Sequence, residues 1–162
     1  MFFGATMQRK YIKLMILLSF LGVLIASYLI YAHYKPVEDS LCSISNKIDC
    51  NSVNKSQYSE FFSSVGLVKL KYALGFDIPV ALLGLLTYSI LFILAIMLHK
   101  KIQKRILHFI FALSLAGFLF SLYLIYIEAF VLRLWCLFCI LQAVIVTILF
   151  LTSIVLLRSK EF

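Results

Sequence analysis

Two pairs of cysteines carry the most evident chemistry in this chain. Cys136 and Cys139 form a C-x-x-C motif at the start of an apolar segment. Residues i and i+3 share one helical face, so the two sulfurs can meet across a first helical turn. Unpaired amide groups and the positive end of the helix dipole at that turn favour thiolate at Cys136. The motif therefore predicts a redox-active pair, with half of a zinc site or a static disulfide as alternatives.

The other pair, Cys42 and Cys50, forms a C-x7-C motif with a mostly polar intervening stretch. That stretch is long enough to close a disulfide and flexible enough to open it towards other partners. Residues 51–62 have the apolar spacing of a short amphipathic helix, with Asn51 or Ser52 as N-cap, so Cys50 would lie just ahead of a helix N-terminus. A C-x7-C in a loop is also often a plain structural disulfide.

Taken together, the two pairs predict a relay by thiol–disulfide exchange, in which each step is the attack of a thiolate on a disulfide. One pair would exchange with a soluble partner. The other would pass electrons to a membrane acceptor such as a quinone, beside Cys139 in its apolar surroundings. A zinc site built from all four cysteines is the main chemical alternative.

Four apolar segments are long enough to cross a bilayer, namely residues 14–34, 78–98, 106–127 and 136–157. A composition that is 64% hydrophobic excludes an ordinary soluble domain. None of the segments contains a charged residue, which argues against a pump or transporter. The first is longer than a signal-peptide core and predicts a retained anchor. We expect an all-α integral membrane protein, a single domain over residues 1–162, with four transmembrane helices and the short helix in a long outer loop, residues 35–77.

The positions of the charges predict an orientation. The formal net charge is +8, but the basic residues cluster at the ends of apolar runs, which argues against nucleic-acid binding. By the positive-inside rule, both termini and the link 99–105 lie in the cytosol. All four cysteines then fall on the outer side, where disulfides persist. Glu128 would lie at the outer end of the third helix, where it could manage protons near Cys136, although an acid at a helix end is usually solvated, as we expect here.

The arrangement resembles the vitamin K epoxide reductase family. The resemblance is carried by four helices, Cys42 and Cys50 after the first, the Cys136-x-x-Cys139 motif opening the fourth, and the strings CNSVNKSQY at 50–58 and DIPVALLG at 77–84. The bacterial disulfide-forming quinone reductase has related parts in a different chain order.

This resemblance implies roles for individual residues. A thioredoxin-like partner would attack a loop disulfide at Cys42, Cys50 would exchange with Cys136, and Cys139 would lie beside the quinone, which would be of the ubiquinone, menaquinone or vitamin K type. Ser56 is a candidate hydrogen-bond donor to a quinone oxygen, with a bond to its own backbone as the alternative. Many prokaryotic members carry a fused thioredoxin-like domain. The chain stops at Phe162, so we expect its partner to be a separate protein.

The expected function is therefore a quinone-dependent thiol–disulfide oxidoreductase of a cell membrane that supports disulfide formation outside the cytosol. One alternative is a vitamin K quinone or epoxide reductase of the endoplasmic reticulum. Against it, Ala143 stands where the animal enzymes carry a tyrosine. Another alternative is a non-enzymatic four-helix membrane protein with structural disulfides, such as a claudin-like adhesion protein. That class shares the helix count and the Cys42/Cys50 pair but does not predict Cys136-x-x-Cys139.

Overall fold

The fold is a bundle of four long helices. The computed structural model describes residues 2–34, 50–60 and 78–159. The long helices are α1 (Phe2–Tyr34), α3 (Val80–Lys100), α4 (Lys104–Tyr126) and α5 (Leu137–Arg158), and α2 (Cys50–Asn54) is short. A 3₁₀ turn (Gln57–Ser59) follows α2, and a π-helical turn (Ile127–Leu132) continues α4. With no strand in these ranges, the predicted all-α four-helix fold is confirmed.

The outer surface of the bundle is suited to lipid. All four long helices are long and apolar enough to cross a membrane. Large apolar side chains are exposed along each of them, among them Leu17, Leu24, Ile90, Ile93, Phe109, Leu119, Leu151 and Val155. So continuous an apolar surface would promote aggregation in water, whereas acyl chains can cover it. The protein is therefore a multi-pass membrane protein.

Two helices extend beyond the apolar segments that the sequence marks. α1 begins at Phe2 rather than at residue 14, because Arg9, Lys10 and Lys13 end the apolar run without ending the helix, and their side chains are exposed. α4 continues through the π-helical turn to Leu132, so the third apolar helix includes Glu128. The predicted segment 106–127 contains no charged residue, but the observed helix is longer and includes Glu128.

The main core lies where the four long helices meet. Its buried members are Ile12, Met15, Tyr88, Leu91, Ala95, Leu98, Leu107, Ile110, Ile145, Val146, Leu149 and Leu156. α1 and α3 are in close contact at Gly22, where an added Cβ would overlap the ring of Tyr88. Glycine at this position lets the ring lie directly against the α1 backbone.

Most basic side chains of the described chain lie at the end of the bundle opposite the cysteines, whereas Lys55 and Arg133 are exposed at the cysteine end. At one end, Gln8 Nε2 near the start of α1 donates a hydrogen bond to Ser159 Oγ just after α5, at 2.9 Å. The exposed basic residues of the described chain that belong to this end are Arg9, Lys10, Lys13, Lys100, Lys101, Lys104, Arg105 and Arg158. At the other end, a second buried cluster contains Leu29, Cys50, Val53 and Cys136. This separation is the pattern that the charge analysis predicts along the chain.

The expected continuous helix over residues 51–62 is instead two short pieces. α2 already begins at Cys50, and it ends at Asn54. Ser56 breaks it, because its Oγ donates to Val53 O at 2.7 Å while its backbone is extended, with φ −68° and ψ 158°. Residues 61 and 62 lie outside the described residues, as does most of the loop 35–77.

Candidate functional site

A disulfide joins Cys136 and Cys139 at the N-terminus of α5. Their Cα atoms are 5.1 Å apart. Cys136 is the N-cap of the helix, and its Sγ accepts a hydrogen bond from Cys139 N–H at 3.2 Å. Cys136 is fully buried, whereas Cys139 is half-buried. The two sulfurs thus meet across the first turn, as the C-x-x-C spacing predicts.

Cys50 lies in the same buried cluster as Cys136. It is the first residue of α2, it is buried, and it is itself disulfide-bonded. Leu132, Leu134 and Phe138 pack against this cluster. The structure therefore brings Cys50 of the first pair into the same buried cluster as Cys136, with Cys139 packed against that cluster. Cys42, the remaining predicted site residue, lies outside the described residues.

Asn54 and His33 fasten α2 to the end of α1. Asn54 Nδ2 donates to Leu29 O at 2.8 Å, and the ring Nδ1–H of His33 donates to Asn54 O at 2.7 Å. Asn54 is buried. These bonds hold Cys50 at a fixed place above the bundle. The sequence analysis did not single out either residue for this role, because each partner lies more than twenty positions away in the chain.

A cavity of about 350 Å³ opens beside Cys139. All four long helices contribute to its wall, and α2 and the 3₁₀ turn contribute from above. Its volume lies within the range of small-molecule sites. Most of the wall is apolar, with members such as Val80, Leu83, Leu113, Gly117, Phe120 and Val146. Ser56, Ala143 and Gln142 also line it.

Gln142 provides an unused hydrogen-bond donor in this wall. Its Nε2 is buried and has no hydrogen-bond partner. The residue follows Cys139 by one helical turn on α5, and Tyr88 Oη donates to its backbone carbonyl at 2.8 Å. A buried amide donor without a partner costs free energy. Because Gln142 also lines the ligand-sized cavity, a rotation of its amide would bring this donor to a ligand that accepts a hydrogen bond. Apolar walls and one orphaned donor beside a sulfur fit a quinone, which is a flat apolar ring with carbonyl acceptors.

Ser56 lies in the cavity wall, as a quinone-contacting residue should. Its hydroxyl proton, however, is used in the bond to Val53 O. The two roles weighed for Ser56 are therefore both compatible with its position. To donate to a ligand, the hydroxyl would have to leave its backbone partner.

Glu128 is buried against the cysteine pair, so the expectation that it is solvated is wrong. Its side chain is only 4% exposed, and its Oε2 accepts a hydrogen bond from Cys136 N–H at 3.1 Å. The cause is the chain path after α4. The π-helical turn ends at Leu132, the next residue Arg133 is in the left-handed conformation with φ 53°, and Leu134 N–H donates a hydrogen bond to Glu128 O. This tight reversal brings Glu128 back onto Cys136.

Glu128, Cys136 and Cys139 also form a compact set of metal-binding residue types. One carboxylate oxygen and the two sulfurs all lie within 4.8 Å of one another. Both sulfurs are committed to the disulfide, so in this oxidation state the set holds a redox pair and a carboxylate, not three free ligands. The zinc site from four cysteines requires Cys42, whose placement is outside the described residues.

Comparison with protein-family models matches residues 13–154 to the "Vitamin K epoxide reductase family". The chain belongs to this family. The match covers most of the chain, including α3, α4 and all four cysteines, so the family-level resemblance in the motifs is confirmed. Membership in the vitamin K epoxide reductase family implies a membrane thiol–disulfide oxidoreductase linked to quinone, and the Cys136–Cys139 pair supplies the required disulfide. No curated protein matches the chain.

Proposed function

We propose that the protein carries electrons from a thioredoxin-like partner through Cys42 and Cys50 to Cys136 and Cys139, and then to a quinone. The observation that carries this proposal is the position of Cys139, which is bonded to the buried Cys136 and also lines the ligand-sized cavity. A disulfide that only stabilises the fold has no need of such a cavity beside its inner sulfur.

The transfer between the two pairs proceeds by thiol–disulfide exchange. A partner dithiol attacks at Cys42 and leaves as a disulfide, so Cys50 becomes a thiolate. Cys50 then attacks Cys136, and the bond between Cys136 and Cys139 breaks with Cys139 as leaving thiolate. Attack by Cys42 on Cys50 releases Cys136 and leaves the inner pair reduced. The shared buried cluster of Cys50 and Cys136 supports the middle step, because the exchange needs the two sulfurs to come into contact.

The cavity residues hold and shield the electron acceptor. A bound quinone supplies a two-electron acceptor whose oxygens take up two protons. Gln142 Nε2 would supply a hydrogen bond to a carbonyl oxygen, and the apolar wall would exclude water from the ring and from Cys139. Ala143 also faces this cavity and brings no hydroxyl group to it.

The separation of charge and cysteines supports the direction of the reaction. If the basic end of the bundle lies in the cytosol, the cysteine end faces outward. Partner thiols outside the cytosol are then oxidised, and the quinone is reduced within the membrane. The product is a partner disulfide that can be passed to secreted proteins, which is where disulfides persist.

The test is quinone reduction by purified protein in detergent, with dithiothreitol as electron source and ubiquinone and menaquinone analogues as acceptors. We expect protein-dependent turnover in the parent and none in Cys139→Ala or Cys136→Ala. Thr152→Ala is the matched control, since Thr152 lies on α5, is buried and does not line the cavity. Failure of the fully reduced parent to reduce either analogue would rule the proposal out.

A further inference from the structure

Glu128 is the only charged side chain among the buried residues of the described chain. Neither the exchange between the cysteine pairs nor the binding of a ring requires an acid. A buried carboxyl group is costly unless its charge is compensated. Its position therefore calls for a role that the apolar neighbours Ile127 and Leu132 could not fill.

Three contacts define what Glu128 can reach. Its Oε2 accepts the Cys136 amide proton at 3.1 Å. A carboxylate oxygen lies within 4.8 Å of both cysteine sulfurs. The side chain also lines the cavity next to Cys139. Glu128 is thus the one described acid that touches both the disulfide and the space proposed for the electron acceptor.

We propose that Glu128 carries the thiol proton of Cys136 into the cavity when the reduced pair is reoxidised. This rests on the proposed function and adds a residue to it. In the reduced protein, a Glu128 oxygen holds the proton and Cys136 is a thiolate, hence a competent nucleophile. In the oxidised protein, Glu128 is a carboxylate that accepts the Cys136 N–H.

The step balances as follows. The reduced pair begins with two sulfurs and two protons, one on Cys139 and the other, taken from Cys136, on Glu128. Formation of the Sγ–Sγ bond releases two electrons. Both electrons and both protons end on the quinone, one proton through Glu128 and the other from Cys139. The products are the disulfide, the Glu128 carboxylate and a quinol.

The groups around Glu128 leave it without a competing base. From α5 it faces Cys136 and Cys139, and Cys50 of α2 shares the cluster that contains Cys136. Tyr58 of the 3₁₀ turn and Tyr88 of α3 line the same cavity. The residue that α1 contributes to the wall is Leu29, and Arg133 at the end of the π-helical turn is exposed. Among the described residues that line the cavity there is no Lys, Arg or His.

The test compares Glu128→Gln with the parent by infrared difference spectroscopy between chemically reduced and oxidised protein, with no quinone present. We expect a carboxylic acid C=O band that appears on reduction, shifts in D₂O and is lost in Glu128→Gln. The glutamine still offers an oxygen to the Cys136 N–H, so the helix start is preserved. Glu60→Gln is the matched control, since Glu60 is a half-buried acid that does not line the cavity, and it should keep the band.

The pH profile of quinone reduction gives a second readout. We expect Glu128→Gln to be slower by about 10²-fold near pH 7, the usual contribution of a positioned acid or base. The deficit should shrink as rising pH ionises Cys136 without help. A band that is absent from the parent, or that persists in Glu128→Gln, would overturn the inference. So would a deficit that stays the same at every pH. Because the infrared arm uses no quinone, its result stands even if quinone proves not to be the acceptor.

Discussion

Cys139→Ala is expected to accumulate a disulfide between Cys50 and Cys136. Without Cys139, Cys136 cannot form its own disulfide. Its thiolate can instead attack Cys50 of the loop disulfide, which breaks that bond and releases Cys42 as a thiolate, and no Cys139 remains to displace Cys50 from Cys136. Cys136 is fully buried, and Cys50 lies in the same buried cluster, so Cys50 is the cysteine placed to pair with it when Cys139 is absent. The variant loses the route through Cys139 and keeps only the return attack by Cys42, so the bond between the two pairs, transient in the parent, should accumulate.

The measurement is mass spectrometry of peptides prepared without reduction, after free thiols have been blocked. The Cys50–Cys136 peptide pair should dominate in Cys139→Ala and be scarce in the parent, where Cys136 is paired with Cys139. Cys136→Ala is the control that removes the acceptor and should show no such pair. Recovery of Cys136 as a blocked free thiol in oxidised Cys139→Ala would contradict the route from Cys50 to Cys136.

Gln142→Leu should raise the KM for quinone by about tenfold while leaving the protein as stable as the parent or more so. The leucine has a similar shape but removes the amide, and the loss of one hydrogen bond of about 1.4 kcal/mol corresponds to a factor of ten in affinity. In the protein alone, Nε2 has no partner, so removing it relieves a desolvation cost instead of breaking a bond.

Gln8→Leu is the matched control for this experiment. Gln8 is also buried, but its Nε2 donates to Ser159 Oγ at the opposite end of the bundle. Its replacement should lower the Tm and leave the KM for quinone unchanged. The pair of variants thus separates binding from folding. An unchanged KM in Gln142→Leu would mean that the orphaned amide does not face the ligand.

The parts of the fold that follow from local sequence were predicted well. Apolar runs long enough to span a bilayer predict α3 and α5 to within about two residues, the usual uncertainty of helix ends. The C-x-x-C spacing predicts that Cys136 and Cys139 meet, because both depend on a single helical turn. The prediction of one continuous helix over residues 51–62 was wrong. Its apolar spacing did not show that the Ser56 hydroxyl would bond to Val53 O and interrupt the helix.

The parts of the site that depend on chain reversal and packing were not predicted. Glu128 was expected to be solvated because it lies at a helix end, and the neighbouring sequence does not predict that Arg133 turns the chain back in the left-handed conformation. The sequence analysis assigned no role to Gln142, because a single amide in an apolar helix forms no recognisable motif. Its missing partner is visible only when every helix around it is in place.

The most direct test of the central claim is a single turnover by the inner pair alone. Cys50→Ala removes the exchange from the first pair but leaves Cys136 and Cys139 intact. This variant, fully reduced and freed of reductant without oxygen, is mixed with a quinone analogue, and quinol is followed optically. The account predicts about one quinol per protein, with the Cys136–Cys139 disulfide formed in parallel, and none when Cys139→Ala is added. If Cys136 and Cys139 are shown to be free thiols before mixing and no quinol forms, the result would contradict the proposed electron transfer from this pair to quinone.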